Sequence, residues 1–151
     1  SAGGWTAAAS LVTTDLYACA SISYPVLDLV GWSEDGTHDF ESQYLVSLIG
    51  PYTEVPDRYR DRSPLRHADR ITAPFLLLQA STTPSAARPV RPLPRRGRPA
   101  RRPARLSAFE GEGHGFRRAE TIVRAVEAEL SLYVQTFGIA RTDIPALELT
   151  K

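Results

Sequence analysis

Pro74-Phe75-Leu76-Leu77-Leu78-Gln79 is an unbroken apolar run, too short for an ordinary helix and bounded by turn-forming residues. A strand with one solvated face alternates apolar with polar residues. A continuous run expects cover on both faces, which is the habit of a parallel strand inside an α/β layer structure. Working outward, residues 18–23 form a second short apolar run closed by Tyr24-Pro25, and residues 106–109 form a third. Residues 5–16 (Trp5, Ala8, Ala9, Leu11, Val12, Leu16) have helical composition. Residues 39–49 carry Phe40, Tyr44, Leu45, Leu48 and Ile49 on one helical face, stopped by Gly50-Pro51. Residues 26–36 read as a loop, residues 57–62 as short helical turns, and residues 139–151 as a mobile tail. The longest periodic segment is 118–137, with Ile122, Val123, Val126, Leu130, Tyr133 and Val134 at helical spacing before Gly138. Strands alternating with helices predict an α/β domain, and three strands predict only a partial parallel sheet.

The chain has 151 residues, 42% hydrophobic and 23% charged, which fits one domain of ordinary size and excludes a disordered polymer. No apolar run approaches the roughly 20 residues that a bilayer-spanning helix needs. Cys19 is the only cysteine, so no internal disulfide framework is expected and no structural metal site. A single thiol fits a reducing, cytoplasmic setting. The opening Ser1-Ala2-Gly3-Gly4-Trp5 has no signal-peptide pattern. Methionine is absent even at position 1, so a processed protein or a fragment is expected.

A net charge of +1 hides two unlike regions. Residues 81–105 hold eight Arg, six Pro and no acidic residue, leaving 10 basic against 17 acidic residues elsewhere, a balance of −7. The tract reads as a disordered, solvated Arg/Pro-rich insert. Its alternative is a basic arm for nucleic acid or an anionic membrane. It has no aromatic residue on which bases could stack and no accompanying nucleic-acid motif, so no nucleic-acid partner is expected.

Two motifs carry chemistry. Ser1-Ala2-Gly3-Gly4 runs straight into a helix, and a nucleophilic serine on a strand-to-helix elbow needs small neighbours. A flexible end is the plain alternative. A terminal serine using its own α-amine as base is another, but such enzymes are usually β-rich sandwiches. The second motif is Gly113-His114-Gly115-Phe116, between a short strand and a long helix, where flanking glycines let an imidazole stand clear. His38 and His67 sit in polar contexts and read as surface or capping residues. Ser1 and His114 follow the chain order Ser, acid, His of the α/β-hydrolases.

The stretches 1–79 and 109–137 resemble the catalytic domain of the prolyl oligopeptidase family of serine peptidases, closest to its dipeptidyl-aminopeptidase and acylaminoacyl-peptidase-like members. The resemblance rests on Ser1-Ala2-Gly3-Gly4-Trp5, Tyr24-Pro25-Val26-Leu27-Asp28 and His38-Asp39-Phe40-Glu41. It continues through Ser63-Pro64-Leu65, Ile71-Thr72-Ala73-Pro74 with the strand after it, and Glu112-Gly113-His114-Gly115-Phe116. It implies the C-terminal portion of an α/β-hydrolase fold: a partial catalytic domain at 1–138, containing the 81–105 insert, followed by a tail at 139–151. It further implies peptide substrates, Ser1 as nucleophile, His114 as general base, the Ala2 amide as oxyanion donor, and no cofactor. The family's second oxyanion donor lies upstream of residue 1, and losing one donor costs on the order of 10²–10³ in rate.

The family's third catalytic residue lies in a Gly-x-x-Asp turn after this strand. Here the turn reads Gln79-Ala80-Ser81-Thr82-Thr83-Pro84-Ser85-Ala86, without a carboxylate. A parent Gln-Gly-Leu-Asp-Asp-Pro-Val-Cys in GC-rich codons, CAG GGC CTC GAC GAC CCC GTC TGC, gives this sequence once one G is deleted from the second codon. A frameshift after Gln79, compensated before about Phe109, accounts for the missing acid and for the Arg/Pro bias. Thr82 or Thr83 would then hold the acid position. Glu110 and Glu112 are the nearest carboxylates, and a substitute would have to reach the far ring nitrogen of His114. Alternatives to a peptidase are an esterase- or lipase-like hydrolase and a non-catalytic remnant with a basic binding arm.

Overall fold

The computed structural model describes residues 1–34, 44–81 and 104–148. The His38-Asp39-Phe40-Glu41 match, Thr82, Thr83 and most of the Arg/Pro-rich tract lie outside those residues. Three strands, β1 (Ala20–Ser23), β2 (Phe75–Ala80) and β3 (Ala104–Phe109), form one sheet in the order β1-β2-β3. Both pairings are parallel, with Ile22 opposite Leu77 and Leu77 opposite Leu106. Parallel neighbours require crossovers rather than hairpins, and among the described residues the β1-to-β2 crossover runs through four short helical segments. These are α2 (Leu29–Glu34), α3 (Tyr44–Ile49), α4 (Pro56–Asp61) and a 3-10 helix (Pro64–Arg70). Helix α1 (Ala2–Thr13) precedes the sheet and α5 (Ala119–Thr136) follows it.

β2 is central because its run of leucines has cover on both sides. Side chains alternate along a strand, so Leu77 joins Ala8, Leu11, Val12 and Ile22 under α1. Leu76 and Leu78 point the other way and pack with Phe109, Ala125 and Leu132 under α5. Each leucine so buried contributes about 2 kcal/mol. A third cluster, Leu29, Val30, Leu45, Ile49 and Tyr59, holds the crossover helices together.

Several expectations shift. The 26–36 loop contains α2, because burial of Leu29 and Val30 and the Trp32 N–H bond to the Asp28 carbonyl stabilise a helix too short for periodicity to show. β3 begins at Ala104, so Ala104, Arg105 and Ser81 of the Arg/Pro-rich tract belong to the described chain: Ala104 pairs with Phe75, and the Ser81 N–H donates to the Phe109 carbonyl. α5 turns to the core a face that includes the small Thr121, Ala125 and Ser131 beside Leu132, while Ile122, Val123 and Val126 are exposed. Small residues let the helix lie close to β2. The tail is pinned: the Leu147 N–H donates to the buried Ser131 hydroxyl, and its carbonyl accepts from Gln135.

Candidate active site

Because the strands are parallel, their carboxyl ends share one edge, with Ser23 beside Leu78 and Ala80 beside Phe109. The crevice outside that edge is where open α/β sheets bind ligands. The N-terminus of α1 comes to the same edge. A Cβ on Gly4 would sit 2.3 Å from the Ser23 carbonyl oxygen and 2.8 Å from the Pro25 Cα, so only glycine lets the helix start this close to the end of β1. Gly3 faces open space. The small-residue pattern therefore has a steric reason at position 4 alone.

Ser1, the expected nucleophile, is exposed and caps α1, its carbonyl accepting the Trp5 N–H at 2.9 Å. Its hydroxyl makes no capping bond. Ala2 begins the helix, and an amide in the first turn has no acceptor within its own helix while carrying the positive end of the macrodipole. That is the chemistry an oxyanion donor needs. The Trp5 indole N–H donates to the Arg62 carbonyl at 2.9 Å, fastening this turn to the segment after α4.

His114, the expected base, sits exposed at the tip of a tight bend. Gly113 and Gly115 form a short antiparallel bridge on either side of it. Gly111 and Gly115 have φ of +72° and +96°, which a side chain would make costly. Edge-to-face aromatic contacts link the bend to the sheet: Phe109 meets Phe116 at 4.8 Å between centroids, Phe116 meets Tyr24 at 4.7 Å, and Tyr24 meets His114 at 5.9 Å. Tyr24 follows β1 directly, between the two residues that crowd Gly4. Ser1 and His114 thus lie at the same sheet edge, with the 23–25 segment reaching toward both. His67 lies elsewhere, its Nε2 donating to the Asp61 carbonyl at 3.1 Å, a structural role as expected for it.

The acid position falls beyond Ser81, outside the described residues. Glu112, weighed as a substitute, is buried and accepts main-chain N–H groups from Arg117 at 2.9 Å and Arg118 at 3.1 Å, one on each carboxylate oxygen. The Arg117 amide, with help from Thr121 and Arg118, holds its carboxyl below the usual range against the opposing effect of burial. Glu112 thereby fastens the His114 bend to the start of α5. Sequence reasoning missed this capping role, although a carboxylate just before a helix is its usual signal. It read Tyr24 as a strand boundary and as part of the family match, and not as a partner of the His114 bend.

Among the described residues no group of three His, Cys, Asp or Glu side chains could hold a metal ion, and no helix is long and apolar enough to cross a membrane. A cavity of about 320 Å³ lies between β3, α5 and the tail, lined by Ser107, Arg124 and Leu147 among others and by none of Ser1, Ala2 or His114.

A parallel sheet covered on both faces, with a glycine-permitted helix start and a histidine bend at one edge, is part of an α/β-hydrolase fold. An acylaminoacyl peptidase from Pyrococcus horikoshii shares that fold at 17% identity and a TM-score of 0.62, over 99% of this chain and 23% of its own. The profile of the prolyl oligopeptidase family matches residues 1–140, and the chain belongs to that family of serine peptidases. A puromycin hydrolase structure is 52% identical with a TM-score of 0.86, over 99% of this chain and 23% of its own. The same enzyme is known as a serine-to-alanine mutant complexed with PGG. A puromycin-hydrolyzing peptidase from Mycobacterium tuberculosis is 42% identical, also at 0.86, over 100% of this chain and 23% of its own. The chain spans about a quarter of the length of these enzymes. No curated protein matches it.

Proposed function

We propose that this chain carries the nucleophile and the general base of a serine peptidase that cleaves amide bonds in short peptides or aminoacyl amides. What supports the reading is that Gly4, near the α1 N-terminus that bears Ser1, packs on Ser23 and Pro25, while the His114 bend packs on Tyr24 between them, in a chain of this family. The 52% and 42% identity to puromycin-hydrolysing enzymes favours amide over ester substrates, since puromycin joins an amino acid to a nucleoside through an amide. We read its setting as cytoplasmic.

In the proposed reaction the Ser1 oxygen bonds to the scissile carbonyl carbon while His114 takes the hydroxyl proton. The carbonyl oxygen becomes an oxyanion facing the Ala2 amide. The C–N bond then breaks, His114 gives its proton to the leaving amine, and the acyl group stays on Ser1. Water repeats the sequence: its oxygen bonds the acyl carbon, His114 accepts and returns the proton, and Ser1 regains its hydrogen as the acid departs.

A carboxylate at the position of Thr82 or Thr83 would stabilise the imidazolium, and its loss costs on the order of 10⁴ in kcat. We infer that a frameshift after Gln79, compensated before about Phe109, removed it. Coding DNA read one nucleotide out of phase there should encode a Gly-Leu-Asp-Asp turn; stop codons in that frame reject the frameshift. For the activity itself, a fluorophosphonate probe should label the chain at Ser1 slowly and leave Ser1→Ala unlabelled. Labelling that survives Ser1→Ala, or none at all, defeats the peptidase reading and favours a non-catalytic remnant.

A further inference from the structure

We propose that Tyr24 is a positioning residue for His114, holding the histidine bend in register with the carboxyl end of β1. The proposal rests on the reading of His114 as general base. Among the described residues Tyr24 is the only one other than glycine with a left-handed backbone, at φ +50°. For a residue with a bulky side chain that conformation is strained, and such strain persists only where the surroundings enforce it.

Three contacts enforce it. The Tyr24 N–H donates to the Leu78 carbonyl at 2.9 Å, extending the β1–β2 pairing one residue past the strand. The left-handed turn at Tyr24 then ends the strand. At the far end of the side chain, the hydroxyl accepts the Phe116 N–H at 3.1 Å, a bond between residues 92 apart in sequence. Between these two ends, the ring lies edge-to-face against both Phe116 and His114. One side chain thus fixes the main chain two residues after the imidazole and also packs on the imidazole itself.

Glu112 fastens the other side of the bend to the start of α5 through the Arg117 and Arg118 amides. Without Tyr24 the bend would remain attached to its own helix and lose its tie to the strand beside which Ser1 enters. A misplacement of about 1 Å between nucleophile and base costs up to about 100-fold in rate.

The test uses the full chain with two substitutions. Tyr24→Phe keeps the ring and deletes the acceptor for the Phe116 amide. Tyr24→Gly removes the ring and relieves the left-handed backbone, so it remains foldable. His114 ring signals, assigned through His114→Gln, are followed by NMR together with Phe116 amide exchange, and the His67 ring serves as an internal control. Expected are faster Phe116 exchange by about fivefold to tenfold in Tyr24→Phe, as for one lost hydrogen bond, and displaced or broadened His114 signals in Tyr24→Gly. His67 signals should move little. Fluorophosphonate labelling at Ser1 should slow by about tenfold or more in Tyr24→Gly. Unchanged His114 signals and Phe116 exchange in both variants overturn the proposal. Absent labelling in the parent chain, with the NMR changes present, leaves Tyr24 as the positioning group and removes the catalytic reading of His114.

Discussion

A Cβ on residue 4 would stand 2.3 Å from the carbonyl oxygen of Ser23, a separation that real Cβ atoms do not show. The obstacle is main chain, which cannot swing aside as a side chain can. Gly4→Ala should therefore destabilise the fold by about 3 kcal/mol, at the upper end for overpacking. Gly3→Ala, one position earlier in the same helix and facing open space, should stabilise by about 0.5–1 kcal/mol. Urea unfolding of the two variants checks the difference in sign.

Ser63 is fully buried, and its hydroxyl serves two elements at once, donating to the Tyr59 carbonyl at 2.7 Å and accepting the Leu29 N–H at 2.9 Å. Ser63→Ala strands the first amide of α2 without a partner. The expected cost is about 1–3 kcal/mol, read from chemical denaturation, with Ser63→Thr tolerated only if its added methyl finds room.

Leu76 and Leu77 are both buried but face opposite layers. Either change to alanine should cost about 2–5 kcal/mol. Leu76→Ala should raise hydrogen exchange first in α5 amides, and Leu77→Ala first in α1 amides. Exchange mapped by mass spectrometry separates the two outcomes.

The Glu112 carboxyl is held below its ordinary range in the folded chain, chiefly by the Arg117 amide. A depressed folded value means its stabilisation is present above the unfolded carboxylate pKa and is lost as pH falls through the folded one. Glu112→Gln should be less stable than the parent near neutrality. The gap should shrink on acidification below about pH 4. Parallel urea titrations across that range measure it.

Tyr133 points the opposite way. Burial, then the hydrogen bond to Glu129 at 2.6 Å, pushes its hydroxyl up to about 12. A raised value means stability is intact below the unfolded tyrosine pKa and drains away as pH climbs toward the folded value. Ultraviolet difference titrations of the parent and of Tyr133→Phe should differ by one tyrosine that ionises only as pH approaches about 12.

The central strand was legible because Phe75 to Leu78 have no polar interruption, a pattern that only cover on two faces explains. α5 was legible in extent but not in orientation: its large apolar residues advertised one face, while Thr121 and Ala125, unremarkable in the sequence, turned to the sheet. α2 was hidden because six residues do not complete two helical turns. At the candidate site, Ser1 and His114 stood out through their glycines. Tyr24 and Glu112 did not, since their work consists of single hydrogen bonds to amides far along the chain or just ahead in a helix, and no local spacing encodes those.

The anchoring of Leu147 bears on where the polypeptide may be trimmed. The family profile matches residues 1–140, and a cut there would look harmless. Yet Ser131, buried in α5, lends its hydroxyl to Leu147, and Leu147 packs on the cluster around Leu132. A shortened version would open that seam to water and leave a hydroxyl facing it, so the physical border of this unit runs past residue 140.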